Sequence, residues 1–235
     1  MYTIVIPAKN EESYLPVLLE TIRKQTLPPA QIIVADADST DATREIAAQF
    51  GAKIVEGGLP GIGRNRGASE AKTPYILFLD ADVVLNDPTM LERAFAEMMK
   101  RNLDIATCDV APSNDSRLDR ALHKAYNSYV RMVRPVMPHA PGFCIFAKKS
   151  LHDEIGGFDE TVTFCEDHDY AHRGAHAGRF GFLSVAVPVS TRRLDRDGRM
   201  SVAVKYALAE LHLATIGPIR HQLFNYTFGH SSKKT

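Results

Sequence analysis

The sequence predicts an α/β fold in a single domain, a mostly parallel sheet flanked by helices. Three observations carry this. Over residues 1–82, short apolar runs alternate with segments of helical periodicity, the pattern that right-handed crossovers between parallel strands produce. The runs are nearly continuous rather than alternating, as expected of strands covered on both faces. One of them, Tyr75-Ile76-Leu77-Phe78-Leu79, ends abruptly in Asp80-Ala81-Asp82. Open α/β sheets bind ligands beyond the carboxyl ends of their strands, so this acidic pair stands where chemistry is expected. Two like charges there are costly unless a cation or hydrogen-bond donors compensate.

Taken in order, Tyr2 to Pro7 forms the first strand. Asn10 is placed to cap a helix, with Glu11 and Glu12 in its first turn and Leu15, Leu18, Leu19 and Ile22 on its buried face. Pro28-Pro29 breaks the chain before a second strand, Ile32 to Ala35, which ends at Asp36. Ser39-Thr40-Asp41 opens the next helix and Gly51 stops it. Lys53 to Val55 is a third, short strand, and the glycine-rich stretch Gly57 to Gly63 reads as a loop leading into a helix near Arg64. With the acidic strand this makes a Rossmann-like half.

The second half is less regular. It reads as a helix from Pro88 and a strand from Ile105 to Val110. A basic amphipathic helix, Leu118 to Met132, comes next, then a strand from Pro141 to Ala147 and a short helix from Ser150. A helix from Cys165 to Ala177, two strands (Phe180 to Leu183 and Val185 to Val189), a last helix from Met200 to Ile216 and a polar tail, Ser231 to Thr235, complete the chain.

Composition narrows the classes. At 235 residues the chain has ample length for a core. Lys plus Arg and Asp plus Glu balance at 28 each, which argues against a general electrostatic grip on nucleic acid. Cys108, Cys144 and Cys165 are sparse and lack metal-ligand spacing, which suits a reducing compartment. The first strand begins at once, leaving no room for a signal peptide, and no apolar run approaches the roughly 20 residues of a spanning helix. The expectation is a soluble, cytoplasmic protein, with the inner membrane face as a second location if the acceptor is a lipid.

Six pieces now fall into line: Ile4-Val5-Ile6-Pro7-Ala8-Lys9-Asn10-Glu11, Ile33 to Asp41, Gly63-Arg64-Asn65-Arg66-Gly67, Asp80-Ala81-Asp82, Gly157-Phe158-Asp159-Glu160 and Glu166-Asp167-His168-Asp169. In this order and spacing the chain resembles the nucleotide-sugar glycosyltransferases of the GT-A fold, most closely the inverting family 2, over about residues 2–195. The resemblance implies transfer of a sugar from a UDP- or GDP-sugar to an acceptor with inversion. Residues 1–82 would form the nucleotide-sugar-binding half and residues 83–198 the acceptor-binding half of one domain, with residues 199–235 as a C-terminal helix and tail.

The family suggests a role for each matching residue. Pro7, Ala8 and Glu11 line the nucleotide site, and Asp36 accepts a hydrogen bond from the base. An ionised carboxylate only accepts, so it suits an N–H of uracil or guanine. Arg64 and Asn65 stand where the family touches the diphosphate, with Gly61 and Gly63 allowing close backbone approach. Asp82 would ligate Mn²⁺ or Mg²⁺, with Asp80 beside it. Asp167 stands at the position of the base, with Gly142, Phe143 and Glu166 on the acceptor side. The plainer reading of Glu166-Asp167 is an acid-loaded helix N-terminus.

Many members carry a metal-ligating His further on, where this chain has Ser190-Thr191-Arg192-Arg193. Arg192 and Arg193 then read either as donor-phosphate contacts or as solvated loop arginines. His168, His172 and His176 recur at helical spacing, but no acidic third ligand is in register.

The acceptor is left open between a glycan and a lipid-linked phosphate. Arg117, Arg120, Lys124, Arg131 and Arg134 on one helix, and the nearly all-apolar last helix, suit a core face, a homodimer face or peripheral contact with a membrane. Two other classes are weaker. A sugar nucleotidyltransferase would show an early glycine-rich loop with Arg and Lys where this chain has Pro7-Ala8-Lys9-Asn10-Glu11, and a non-catalytic nucleotide-sugar-binding module would show a damaged acidic pair or base.

Overall fold

The computed structural model describes residues 1–114 and 116–221, the side chains of Arg192 and Arg193 excepted. β1 (Tyr2–Ala8) leads through α1 (Leu15–Arg23) to β2 (Gln31–Asp36), through α2 (Thr43–Gln49) to β3 (Lys53–Glu56), and through α3 (Pro60–Ser69) to β4 (Tyr75–Leu79). The second half contributes α4 (Met90–Lys100), β5 (Ile105–Pro112), α5 (Arg117–Val133), β6 (Cys144–Lys148) and α6 (Lys149–Glu154). It ends with α7 (Glu166–Ala177), β7 (Phe180–Val189), α8 (Arg192–Asp197) and α9 (Arg199–Thr215).

The strands form one seven-stranded sheet in the order β3-β2-β1-β4-β6-β5-β7. β1 runs parallel to both its neighbours, and β5 runs parallel to β7. β6 alone is reversed, pairing antiparallel with β4 on one side and β5 on the other. Side-chain alternation divides the core in two. Leu77 and Leu79 of β4 face a layer built with Leu15, Leu18 and Met98, whereas Ile76 and Phe78 face one built with Phe158 and Tyr170. Each such fully buried side chain contributes about 1.5–3 kcal/mol relative to exposure.

Four expectations need correction. Asn10 does not cap α1. It sits in a left-handed turn (φ 53°) and its Oδ1 accepts from the Thr40 backbone N–H at 2.8 Å, tying the loop after β1 to the loop after β2. Gly61 and Gly63 lie inside α3, which begins at Pro60, a residue pre-set for the first helical turn. The α3 glycines let the helix lie close on the sheet: a Cβ at Gly67 would stand 2.3 Å from Val5 Cγ1. Phe180 to Val189 is one strand, bent where its register with β5 shifts between Cys108 and Asp109. A short helix, α8, occupies the segment expected to be a loop around Arg192 and Arg193. The tail expected over Ser231–Thr235 lies outside the described residues.

Candidate active site

Parallel pairing on both sides of β1 brings three strand ends to one edge of the sheet. Ala8 is in register with Asp36, and both are buried, as is Pro7. Asp36 Oδ2 accepts from the Ser39 backbone N–H at 3.2 Å and from Arg44 Nη1 at 3.1 Å. Its other oxygen, Oδ1, is buried without a hydrogen-bond partner. A buried acceptor is seldom left so, and an N–H of a ligand would satisfy it. Glu11, buried beside it, has its backbone N–H on Thr43 Oγ1 at 2.8 Å.

Arg64 holds the next part together. Its side chain is 2% exposed; Nη1 donates to Glu166 Oε1 at 2.7 Å, and Nη2 to Asp80 Oδ1 at 2.8 Å and to the Gly142 carbonyl at 3.2 Å. The guanidinium lies 5.3 Å from the Phe158 ring centroid. Burial acts against its charge, but Asp80, Glu166 and Asp167 outweigh that and raise its pKa further. Glu166 is the carboxyl shifted upward, by burial first, with Asp167 adding to the shift against the pull of Arg64.

Asp167 sits in the first turn of α7, after Cys165 in a left-handed conformation (φ 59°) that sets the helix's entry. Its Oδ2 accepts from the Gly142 backbone N–H at 2.6 Å and its Oδ1 from the His168 backbone N–H at 2.9 Å. Gly142 and the half-buried Phe143 form the turn entering β6. Arg64, Asp80, Gly142, Glu166 and Asp167 are therefore one connected group. Asn65 is committed to the loop behind it: Oδ1 accepts from the Phe158 backbone N–H at 2.8 Å, and Nδ2 donates to the Phe158 carbonyl at 2.8 Å and to Glu160 Oε1 at 2.9 Å.

Asp82 is half-buried two residues past Asp80. Asp80, Glu166 and Asp167 surround the guanidinium of Arg64, so the candidate ligand atoms at this edge are carboxylate oxygens. This suits a hard divalent cation better than a soft one. The side chains of Arg192 and Arg193 lie outside the described residues.

Sequence reasoning missed one cluster. His139, buried in the loop before β6, donates Nδ1–H to the Met137 carbonyl (2.6 Å) and sets Nε2 2.9 Å from both Oε1 and Oε2 of Glu210 in α9. A carbonyl can only accept, so Nδ1 is the donor in that contact. His168 joins it, with Nδ1 3.5 Å from Glu210 Oε1 and Nε2 3.9 Å from Asp167 Oδ1. Burial disfavours the charged form of His168, yet Asp167 and Glu210 raise its pKa overall. Burial likewise works against the Glu210 carboxylate, but the two histidines lower it to about 2. The three side chains also have the composition of a metal cluster, their ligand atoms lying within 4.8 Å of one another. His172 and His176 lie against each other in a tilted pair, with ring centroids 4.4 Å apart. The available signal was Glu210, the acidic residue of a helix whose basic residues are Arg199, Lys205 and His212.

A mostly parallel sheet with one reversed strand and an acidic site at its carboxyl edge is the GT-A architecture, and known structures agree. A mannosyltransferase from Pyrobaculum calidifontis, PcManGT, in complex with GDP-Man and Mn²⁺, superposes with a TM-score of 0.71 at 19% identity, covering 89% of this chain and 61% of that one. S. aureus TarS 1–349 in complex with UDP superposes with a TM-score of 0.64 at 18% identity, covering 92% of this chain and 72% of that one. The model of glycosyl transferase family 2 matches residues 3–156, and the chain belongs to that family.

Two curated relatives are similar in sequence. The 4,4'-diaponeurosporenoate glycosyltransferase of Staphylococcus haemolyticus is 37% identical over 113 residues, 43% of this chain and 30% of the relative. The O-antigen chain rhamnosyltransferase WbaN of Salmonella anatum is 24% identical over 199 residues, 75% of this chain and 61% of the relative. The chain thus spans less than two thirds of either.

Proposed function

We propose that this chain transfers a sugar from a UDP- or GDP-sugar to an acceptor hydroxyl with inversion. The observation that carries the reading is the group joined by Arg64: Asp80 from the end of β4 and Glu166 from the start of α7 on one guanidinium, with Asp167 beside them. Pro7, Ala8 and Glu11 line the nucleotide, and Asp36 Oδ1 takes an N–H of the base. Asp82, with Asp80, would hold Mn²⁺ or Mg²⁺, which when bound would supply countercharge for the diphosphate. Arg64 adds fixed positive charge behind Asp80. Asn65 acts one step back, by holding the Phe158 loop. Arg192 and Arg193 are proposed as donor contacts.

Residues 1–82 then bind the donor and residues 83–198 the acceptor, with Gly142, Phe143 and Glu166 at the acceptor side. The acceptor oxygen forms a bond to the anomeric carbon while the bond from that carbon to the diphosphate breaks. The electron pair leaves with the nucleoside diphosphate, and the hydroxyl proton passes to Asp167. With a phosphate anion as acceptor no base is needed, and Asp167 orients it. The acceptor is proposed as a glycan or a lipid-linked phosphate.

Calorimetric titration of UDP and GDP, with and without Mn²⁺, tests the donor site. One nucleotide binds in a metal-dependent way to the wild type and not to Asp82→Ala. Failure of both nucleotides to bind the wild type overturns the reading.

A further inference from the structure

We propose that His139, His168 and Glu210 hold a zinc ion, at a site separate from that of the donor's cation. The site stands on its own residues; its consequence for Asp167 rests on the proposed function.

Three elements meet here. His139 comes from the loop before β6, His168 from the first turn of α7 and Glu210 from α9. Each offers one ligand atom, and these atoms all lie within 4.8 Å of one another. The two imidazole rings meet at 74°, with centroids 4.3 Å apart, so they converge edge to face instead of stacking.

The polar atoms of the cluster need a cation among them. His139 Nδ1 donates to the Met137 carbonyl at 2.6 Å, which in the neutral ring leaves a lone pair on Nε2. That nitrogen stands 2.9 Å from both carboxylate oxygens of Glu210, which also only accept. A proton on Nε2 would answer for His139 and Glu210 but not for His168. His168 is more than nine-tenths buried, and its Nδ1, 3.5 Å from Glu210 Oε1, makes no hydrogen bond. A buried ring nitrogen left so is costly. One metal ion satisfies all three groups at once.

Spacing and chemistry select the ion. Ligand atoms around a tetrahedral zinc ion stand roughly 3.3–3.5 Å apart, and the separations of 2.9 and 3.5 Å here bracket most of that range. Two imidazoles with one carboxylate suit zinc, whereas the carboxylate edge at Asp80 and Asp82 suits a harder ion. The outer partners are in place: the Met137 carbonyl holds the His139 ring so that Nε2 faces the cluster, and Tyr129 Oη reaches Glu210 Oε2 at 3.3 Å. The Glu210 side chain is 17% exposed, which leaves a way in. Three protein ligands leave a fourth position for water.

The ion would tie together the two segments that hold the proposed base. His139 lies three positions before Gly142, whose N–H binds Asp167, and His168 directly follows Asp167. With Nδ1 on the ion, His168 carries its proton on Nε2, 3.9 Å from Asp167 Oδ1. His139, His168 and Glu210 are thus positioning residues.

The full chain, stripped with a chelator and without nucleotide, is titrated with Zn²⁺ by calorimetry and with Co²⁺ by visible absorption. The expected result is one tight Zn²⁺ per chain, and for Co²⁺ the absorption bands of a four-coordinate ion. Glu210→Gln, which keeps the size of the side chain, should weaken Zn²⁺ binding on the order of 100-fold or more and abolish the bands. A cooperative unfolding transition of that variant without metal shows that its fold survives. Asp82→Ala should bind Zn²⁺ as the wild type does. Absence of Zn²⁺ uptake by the wild type overturns the inference, as does equal uptake by Glu210→Gln or loss of uptake in Asp82→Ala. Nucleotide binding with Mn²⁺ is read on separate samples, so failure of the donor reading and failure of this one are seen separately.

Discussion

The Gly142 backbone N–H donates to Asp167 Oδ2 at 2.6 Å, while the carbonyl of the same glycine accepts from Arg64 Nη2 at 3.2 Å. One residue in the turn before β6 therefore fixes both the proposed base and the cation of the site. The relationship sets how the two can be separated by mutation.

Asp167→Asn retains an oxygen for the Gly142 N–H but cannot take a proton. With a hydroxyl acceptor, kcat should fall by about 10²- to 10⁴-fold with nucleotide affinity unchanged. Steady-state kinetics beside calorimetry measures both. An unaltered kcat would remove Asp167 from proton transfer.

Gly142→Ala puts a Cβ 2.5 Å from Arg64 Nη2 and 3.2 Å from Asp167 Oδ2. The guanidinium must move, and misplacement on that scale costs roughly 10²-fold in kcat/KM. Wild-type kinetics in this variant would mean that the turn is slack.

Arg64→Met leaves Asp80 and Glu166 without their shared partner. Asp80 is 37% exposed and regains water, whereas Glu166 at 13% cannot, so the loss should sit at the low end for a broken buried pair, about 3 kcal/mol. Urea unfolding reads it. Glu166→Gln in the same background should recover part of the loss, because the stranded charge is then gone.

His152, buried against Tyr170 Oη (3.1 Å), has its pKa lowered from 6.5 to about 4, by burial above all. The unfolded chain then binds this proton first, so stability should fall by about 3 kcal/mol as pH drops from 6.5 to 4. His168 has the opposite sign: its folded pKa is raised, so its contribution is complete below pH 6.5 and fades as pH rises through the folded value. Urea unfolding of wild type and His152→Gln between pH 6.5 and 4.5 isolates the first effect, since Glu210 begins to lose its contribution only below 4.5. A flat profile in the wild type would count against a neutral, buried His152.

The first half of the fold was legible because β1, β2 and β4 are covered on both faces and so appear as plain apolar runs. The start of α3 was not, since its glycines resemble a loop; their reason is the close approach to Val5, which only the fold reveals. Ser184 made β7 look like two strands, whereas a register shift keeps it as one. The polar α8, with no apolar spacing, left no helical pattern. In the site, short motifs carried Asp36, Arg64, Asp80 and Asp167. The His139–Glu210 pair spans 71 positions and offers no local spacing to notice.

The reversed strand has a consequence for how the chain is made. β4 pairs with β1 as soon as both exist, but its other edge is closed only by Cys144–Lys148, which the ribosome delivers much later. Throughout that interval a nascent chain carries four parallel strands ending in an open, apolar β4 edge, the kind of template on which chains stick to one another. Synthesis that stalls before residue 144, or a fragment cut there, would leave that edge permanently exposed. The same strand that joins the two halves of the sheet is thus the one that closes the β4 edge, and β7 adds to β5 only afterwards.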